Sequence, residues 1–311
     1  FGVAGSLQFD DLHAQQSELI QSKVFLFGML FLFAGLAFKI SAFPFQVWAP
    51  DVYQGAPTPT TAFLAVGSKA AGFVLLIRLL VAAVPEVTAE WTSVLLVISA
   101  LTILYGNLCA LPQRNLKRLL AYSGIANAGY LLMGIVAQSE DGTVAILYYL
   151  AGYLFTVMAA FMIINLLTKE GEGEDISCLS CLSKRSPFLA FAMSLTAVSL
   201  AGIPPLAGFF GKFLLVKSVA TEAFGNTCFF ALLAVAVFGV VVSIYYYFGI
   251  VRTIFWGRRK ADEPTPQPVT IGLPVRIVLG CCVAAMLYLG LLPNKPVRWA
   301  ETAAKVEAAS K

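Results

Sequence analysis

From residue 24 onward the chain alternates long apolar runs with short connections that are polar or rich in Gly and Pro. A helix rising 1.5 Å per residue needs about 20 mostly apolar residues to cross a hydrocarbon layer near 30 Å thick. The pattern predicts eight membrane segments, near 24–44, 60–84, 92–111, 116–137, 143–167, 187–221, 227–251 and 273–292. The sixth is too long for one plain span and holds AGIPPLAGFFGKF, with Pro204 and Pro205 inside it. The first continues into SAFPFQVWAPDVYQGAPTP, with Pro44 near its start. Proline lacks an amide donor and crowds the preceding turn, so both segments are expected to be broken helices.

Composition supports this pattern. The 311 residues are 59% hydrophobic and 12% charged, against about 25% charged for soluble domains, with mean hydropathy +0.82. The expected fold is an all-α, polytopic membrane helix bundle, which excludes a soluble or nucleotide-binding enzyme. A net charge of +4, thinly spread, leaves no nucleic-acid footprint. The opening FGVAGSLQFDDLHAQQSE has no Met, no basic n-region and no early apolar core. It reads as a loop between helices, and the chain as the C-terminal portion of a longer one.

Connections bearing Arg114, Lys117 and Arg118, then Lys169, Lys184 and Arg185, then Arg252, Arg258, Arg259 and Lys260, alternate with cation-poor ones at 85–91, 138–142 and 222–226. The positive-inside rule puts the basic set in the cytoplasm. The stretch with Asp10, Asp11 and Glu18 then lies outside, as does the C-terminus, whose Lys295, Arg298, Lys305 and Lys311 fit that placement less well. The run EGEGED at 170–175 offsets part of its own loop's positive charge.

Three cations fall at membrane depth with no plain route to the interface: Lys39, Lys69 and Lys212. A charged side chain there costs roughly 2.5–3.5 kcal/mol on insertion scales, and such groups mark ion pathways by default. Lysine releases its proton when desolvated and arginine does not, which suits a proton relay. A broken helix adds unpaired carbonyls and amides that order water. Arg78 and Lys217 lie near segment ends and are expected to snorkel. All seventeen carboxylates sit in loops or at segment ends, so none is placed to neutralise Lys39. Its counter-charge is expected from chain upstream or from a neighbouring subunit.

Other features carry less. Tyr148, Tyr149 and Tyr245–Tyr247 suit polar paths but read first as packing or interfacial tyrosines, and Ser123, Gly124, Ala126 and Gly129 as close-packing residues. The single pair Cys178-x-x-Cys181 and the one histidine, His13, fall short of a metal site. No Walker loop, nucleotide fingerprint, catalytic triad or haem motif occurs, so neither metal nor cofactor is expected in this chain.

The stretches FKISAFPFQVWAPDVYQGAPTPTTAFLAVGSKAAGF, NLKRLLAYSGIANAGYLLMG and SLAGIPPLAGFFGKF together resemble the antiporter-like membrane subunits of respiratory complex I. The resemblance extends from the opening loop to about residue 255. It implies a fourteen-helix architecture with two inverted five-helix repeats, each with one broken helix. Residues 1–91 would then be the tail of the first repeat, 92–260 the second repeat with its break near 187–221, and 261–311 the final membrane helix and tail. It implies that Lys39, Lys69 and Lys212 are relay lysines and that the paired glutamate lies upstream. Many members have histidine where this chain has Asn127, so the relay is expected to pass by water, by Asn127 as a hydrogen-bonding bridge, or by Tyr130.

The function this implies is proton translocation across the bacterial inner membrane, driven by quinone reduction elsewhere in a complex I-type NADH–quinone oxidoreductase. Other membrane subunits would flank the chain on both sides, and quinone, flavin and iron–sulfur clusters would belong to partner subunits. Two alternatives are a subunit of a cation/proton antiporter, which shares these motifs, and a structural membrane subunit that does not pump.

Overall fold

The computed structural model describes residues 2–169, 173–223, 227–257, 268–269 and 271–309. The cations Arg258, Arg259, Lys260 and Lys311, and part of the acidic run at 170–172, lie outside them. Two short helices, Phe9–Ala14 and Gln16–Leu19, precede the first membrane helix. The larger helices are α1 (Lys23–Ile40), α2 (Trp48–Gly55), α3 (Thr58–Ala83), α4 (Pro85–Ala110), α5 (Leu116–Val136) and α6 (Glu140–Lys169). They continue with α7 (Pro187–Ala201), α8 (Ala207–Glu222), α9 (Thr227–Trp256), α10 (Leu273–Leu291) and α11 (Asn294–Ala309). Among the described residues seven helices are long and apolar enough to cross a membrane: α1, α3 to α6, α9 and α10.

The sixth predicted segment is indeed divided, into α7 and α8 with residues 202–206 between them. The first ends sooner than expected, at Ile40 rather than near 44. Both helices stop at a residue of left-handed backbone, Ser41 (φ 61°) and Gly202 (φ 82°), with a proline three positions later, Pro44 and Pro205. In each case the second residue past the helix reaches back five positions, Ala42 N to Ala37 O at 2.8 Å and Ile203 N to Val198 O at 3.3 Å. This is the Schellman closure, which satisfies otherwise orphaned carbonyls. The helices therefore end on their own cap, before the prolines take effect.

The helix α5 is the axis of the bundle, and every residue of its membrane window is buried. α4 packs along it because Gly106 and Gly129 carry no side chain. A Cβ at Gly106 would lie 2.3 Å from Ala126 N, and one at Gly129 2.7 Å from Ile103 N. Small residues at such crossings let backbones approach, which drives helix association where lipid removes the hydrophobic incentive. α2, α6 and α8 also pack on α5. The C-terminal stretch, expected as a tail, forms α11, which lies against α6 through Ala300, Ala304 and Val144.

Candidate functional site

Lys69 and Lys212 are both enclosed, with 2% and 4% of their surfaces exposed, and both end beside α5. Lys69 follows a π-helical stretch of α3, Leu64–Ser68, a local widening often found at functional positions. Its Nζ donates to the Gly124 carbonyl at 2.6 Å. Gly124, read from sequence as a packing residue, leaves the space for this: a Cβ there would lie 3.2 Å from both Lys69 Nζ and the Tyr153 hydroxyl.

Lys212 reaches back across the second break. Its Nζ donates to Leu200 O at 2.8 Å and Ala201 O at 3.4 Å, and stands 5.0 Å from the centre of the Tyr130 ring. Those carbonyls are the C-terminal end of α7, where the helix dipole favours a cation. Gly202 permits the left-handed turn and also clears the path of the Lys212 stem, since a Cβ would fall 2.9 Å from its Cδ. Across the first break the comparable role belongs to Trp48, whose Nε1 donates to Phe38 O at 2.9 Å. Pro44, Pro204 and Pro205 thus mark the breaks, but the groups that use the freed carbonyls are Trp48 and Lys212.

A polar chain occupies the space between the two enclosed lysines. Asn127 Oδ1 accepts from the Tyr149 hydroxyl at 2.8 Å, and Asn127 Nδ2 donates to Ser123 Oγ at 3.5 Å. Ser123 Oγ and the Tyr247 hydroxyl share a short hydrogen bond. Tyr149 stacks with Tyr153 at 6.0 Å, which returns the chain to Lys69. On the other side, a Cβ at Gly211, the neighbour of Lys212, would fall 2.3 Å from Tyr149 Cδ2, so Tyr149 lies directly on α8. Tyr130 donates to Ala236 O at 3.0 Å and Tyr246 to Asn107 Oδ1 at 3.1 Å. Gly124, Asn127 and Tyr130 recur every three residues of α5, about 9 Å of rise from first to last.

The tyrosines divide between the two roles their sequence allowed. Tyr149, Tyr246 and Tyr247 are buried members of this chain, Tyr148 is buried and donates to the Leu289 carbonyl, and only Tyr245 of the five is largely exposed. Tyr153 was missed, although its i, i+4 spacing from Tyr149 puts both on one face of α6. Ser123 also does more than pack.

Lys39 differs from its two companions. It lies in the last turn of α1 with its side chain exposed, its stem over Gly72, where a Cβ would sit 3.7 Å from Lys39 Cγ. Lys217 is exposed and 3.4 Å from Asp141, and the exposed Arg78 guanidinium lies 5.8 Å from the Phe9 ring. His13 falls on a short helix, not in a loop. Cys178 is buried, and Cys181 Sγ lies 3.4 Å from the Gly257 carbonyl.

Residues 1–243 match the family model described as NADH:quinone oxidoreductase/Mrp antiporter, TM. Subunit N of NADH-quinone oxidoreductase from Desulforamulus reducens is 37% identical over 306 residues, covering 98% of this chain and 62% of that protein. Subunit N 1 from Opitutus terrae is 44% identical over 270 residues, covering 85% of this chain and 52% of that protein. The chain thus spans only part of the length of the relatives it matches. A chain of respiratory complex I from Thermus thermophilus with bound aureothin superposes with a TM-score of 0.73 at 31% identity, over 93% of this chain and 65% of that one. A chain of the Mrp complex from Dietzia shares the fold, with a TM-score of 0.86 at 22% identity, over 99% of this chain and 63% of that one. A matched family model over most of the length, seven apolar helices and two broken-helix elements lead to one assignment: this chain is a multi-pass membrane protein belonging to the NADH:quinone oxidoreductase/Mrp antiporter transmembrane family.

Proposed function

We propose that this chain is the C-terminal portion of an N-type subunit of a bacterial complex I-type NADH–quinone oxidoreductase, and that it moves protons through its interior lysines. The observation that carries the reading is that Lys69 and Lys212, both enclosed, end on the same buried helix with a hydrogen-bonded Asn127–tyrosine chain between them. A relay needs groups that bind and release protons, held apart by groups that pass them. Lysine supplies the first and hydroxyl and amide groups the second.

In this scheme residues 1–91 belong to the first inverted repeat, 92–260 to the second and 261–311 to the closing helix and its extension. The matching left-handed caps at Ser41 and Gly202 favour two related halves. Redox chemistry takes place in partner subunits that hold flavin, iron–sulfur clusters and quinone, and further membrane subunits flank this one in the inner membrane. Conformational and electrostatic change there alters the proton affinity of one lysine and, through like-charge repulsion, of the next. Protons join from the basic-loop face, pass Lys69, with Lys39 at the junction with upstream helices, and leave by Lys212. Asn127 cannot titrate, so it acts as a hydrogen-bonding bridge between Tyr149 and Ser123, with Tyr130 beneath Lys212.

The test is proton uptake by inverted membrane vesicles energised with NADH and quinone, with Lys39→Ala, Lys69→Ala and Lys212→Ala each placed in the full-length subunit. Uptake and quinone reduction are expected to fall together while the complex stays assembled. Unchanged uptake in all three variants rejects the relay. A cation/proton antiporter, suggested by the shared Mrp fold, would instead exchange sodium for protons in vesicles without NADH.

A further inference from the structure

We propose that Lys117 and Glu174 form a proton-collecting site at the basic-loop face of the bundle, from which Lys69 is reprotonated. The inference rests on the pumping role proposed above and locates where protons join the relay. In sequence Lys117 is one loop cation among several. In the structure only 3% of it is exposed, and its Nζ lies 2.6 Å from Glu174 Oε1. The same ammonium donates to the Ala56 carbonyl at 2.9 Å and contacts the Gln54 carbonyl at 3.4 Å. The Glu174 side chain keeps 23% exposure, so water reaches the carboxylate and not the ammonium it holds. A collecting site needs that asymmetry.

The pair is fixed by the backbone around it. Leu116 N donates to Glu174 O and Ile176 N to Arg114 O, both at 2.7 Å, and Asn115 Nδ2 donates to Glu174 Oε2 at 3.3 Å. Among the described residues of α2, the start of α5, the end of α6 and 173–177, the other charged groups are otherwise engaged or face solvent. Arg118 and Asp51 pair at 2.6 Å, Asp175 accepts from Ser177 N at 2.9 Å, and Arg114 and Lys169 are exposed.

The path inward follows two elements. Lys117 precedes Gly124 by seven residues, two turns, so both lie on one face of α5 about 10 Å apart along its axis. Gly124 O is the acceptor of Lys69. Beside that face, the Ala56 carbonyl that receives Lys117 also lies 3.4 Å from Thr61 Oγ1, and Thr61 donates to Tyr53 O at 3.2 Å. Tyr53 is buried nearby, and the Tyr153 hydroxyl and Lys69 Nζ flank the space above Gly124, each 3.2 Å from where a Cβ would lie. The proposal requires water between these fixed polar groups to carry the proton. In one cycle Lys117 passes a proton inward to a neutral Lys69, and Glu174 takes one from water at the surface. Glu174 then returns its proton to Lys117, and the ion pair is restored with no charge left over.

A purely structural clamp on the first break is the competing role, and Glu174→Gln separates the two. The amide keeps the size and a carbonyl acceptor for Lys117 but cannot take up and release a proton. Initial rates of NADH-driven proton uptake should be compared across pH for the native complex, Glu174→Gln, Glu174→Asp and Lys69→Ala, in inverted vesicles whose medium bathes the basic-loop face. Uptake in Glu174→Gln is expected to be close to native near about pH 6 and at least about fivefold lower near about pH 8, where bulk protons are scarce, with Glu174→Asp restoring most of it. No loss, or a loss equal at every pH, while Lys69→Ala still abolishes uptake, overturns the collecting role and leaves the pair as a clamp. Normal uptake in Lys69→Ala overturns the relay itself, and the collecting site with it.

Discussion

A side chain's surroundings decide what an interior lysine can do, and Lys212 shows this most clearly. Its ammonium occupies the acceptors at the end of α7, Leu200 O and Ala201 O. Lys212→Arg retains a cation that can hold those carbonyls but does not deprotonate. Lys212→Arg is therefore expected to keep assembly and thermal stability near native while proton uptake falls by at least about tenfold. Lys212→Ala loses both the proton and the cap. Comparing uptake with the melting temperature of the purified complex for the two variants checks this, and a pumping Lys212→Arg would refute it. Lys212 was legible in sequence because a cation inside an apolar run stands out. Lys117 was not, because a lysine at a segment end reads as solvated until its neighbours are known. Tyr149 stayed ambiguous and Tyr153 escaped for a related reason: tyrosine suits packing, interfaces and polar chains equally well, and only the partner of its hydroxyl distinguishes these roles.

At the scale of helices, the breaks and the close crossings do the positioning. The proline-rich stretches of sequence announced both breaks. Their placement depended on Ser41 and Gly202, whose left-handed backbones end the helices three residues before Pro44 and Pro205. The same breaks free the carbonyls that Trp48 and Lys212 then fill. The α4–α5 crossing depends on Gly106, where any side chain meets the Ala126 backbone, which cannot swing aside. Gly106→Leu is expected to force the two helices apart and cost about 1–3 kcal/mol, read as a lower melting temperature and reduced assembly into the complex. Gly28, where a Cβ would meet nothing within 4 Å, serves as the control, since Gly28→Ala should leave both unchanged.

The whole molecule reads as an alternation across the membrane, and its connections can be tested for side. The ends near Arg114 and Lys184 form the basic face, and the turn around Ser139 the opposite one. Two packing contacts lie at the end away from the basic loops. The short N-terminal helix packs on the far end of α3 through Phe9 and Arg78, and α11 packs near the start of α6 through Val144. Single cysteines at position 139 and position 114 of a full-length subunit lacking other reactive cysteines are expected to react with a membrane-impermeant thiol reagent from opposite sides, 139 in intact cells and 114 in inverted vesicles. The reverse pattern would invert the direction assigned to every proton hand-off.

Hydrophobic periodicity, proline placement and loop charge were enough to establish a polytopic bundle with two broken helices and to single out Lys39, Lys69 and Lys212, because a bilayer penalises every unsatisfied polar group and leaves long apolar runs as the dominant signal. Sequence could not tell which of those lysines are enclosed, nor that Lys117 joins them, nor that Asn127 ties Tyr149 to Ser123. Those facts depend on which residues from distant segments meet, and inside α5's fully buried surroundings that is set by how closely neighbouring backbones pack. A missing side chain at Gly106, Gly124 or Gly211 leaves only local information in the chain, yet it decides which backbone, ammonium or ring occupies the space.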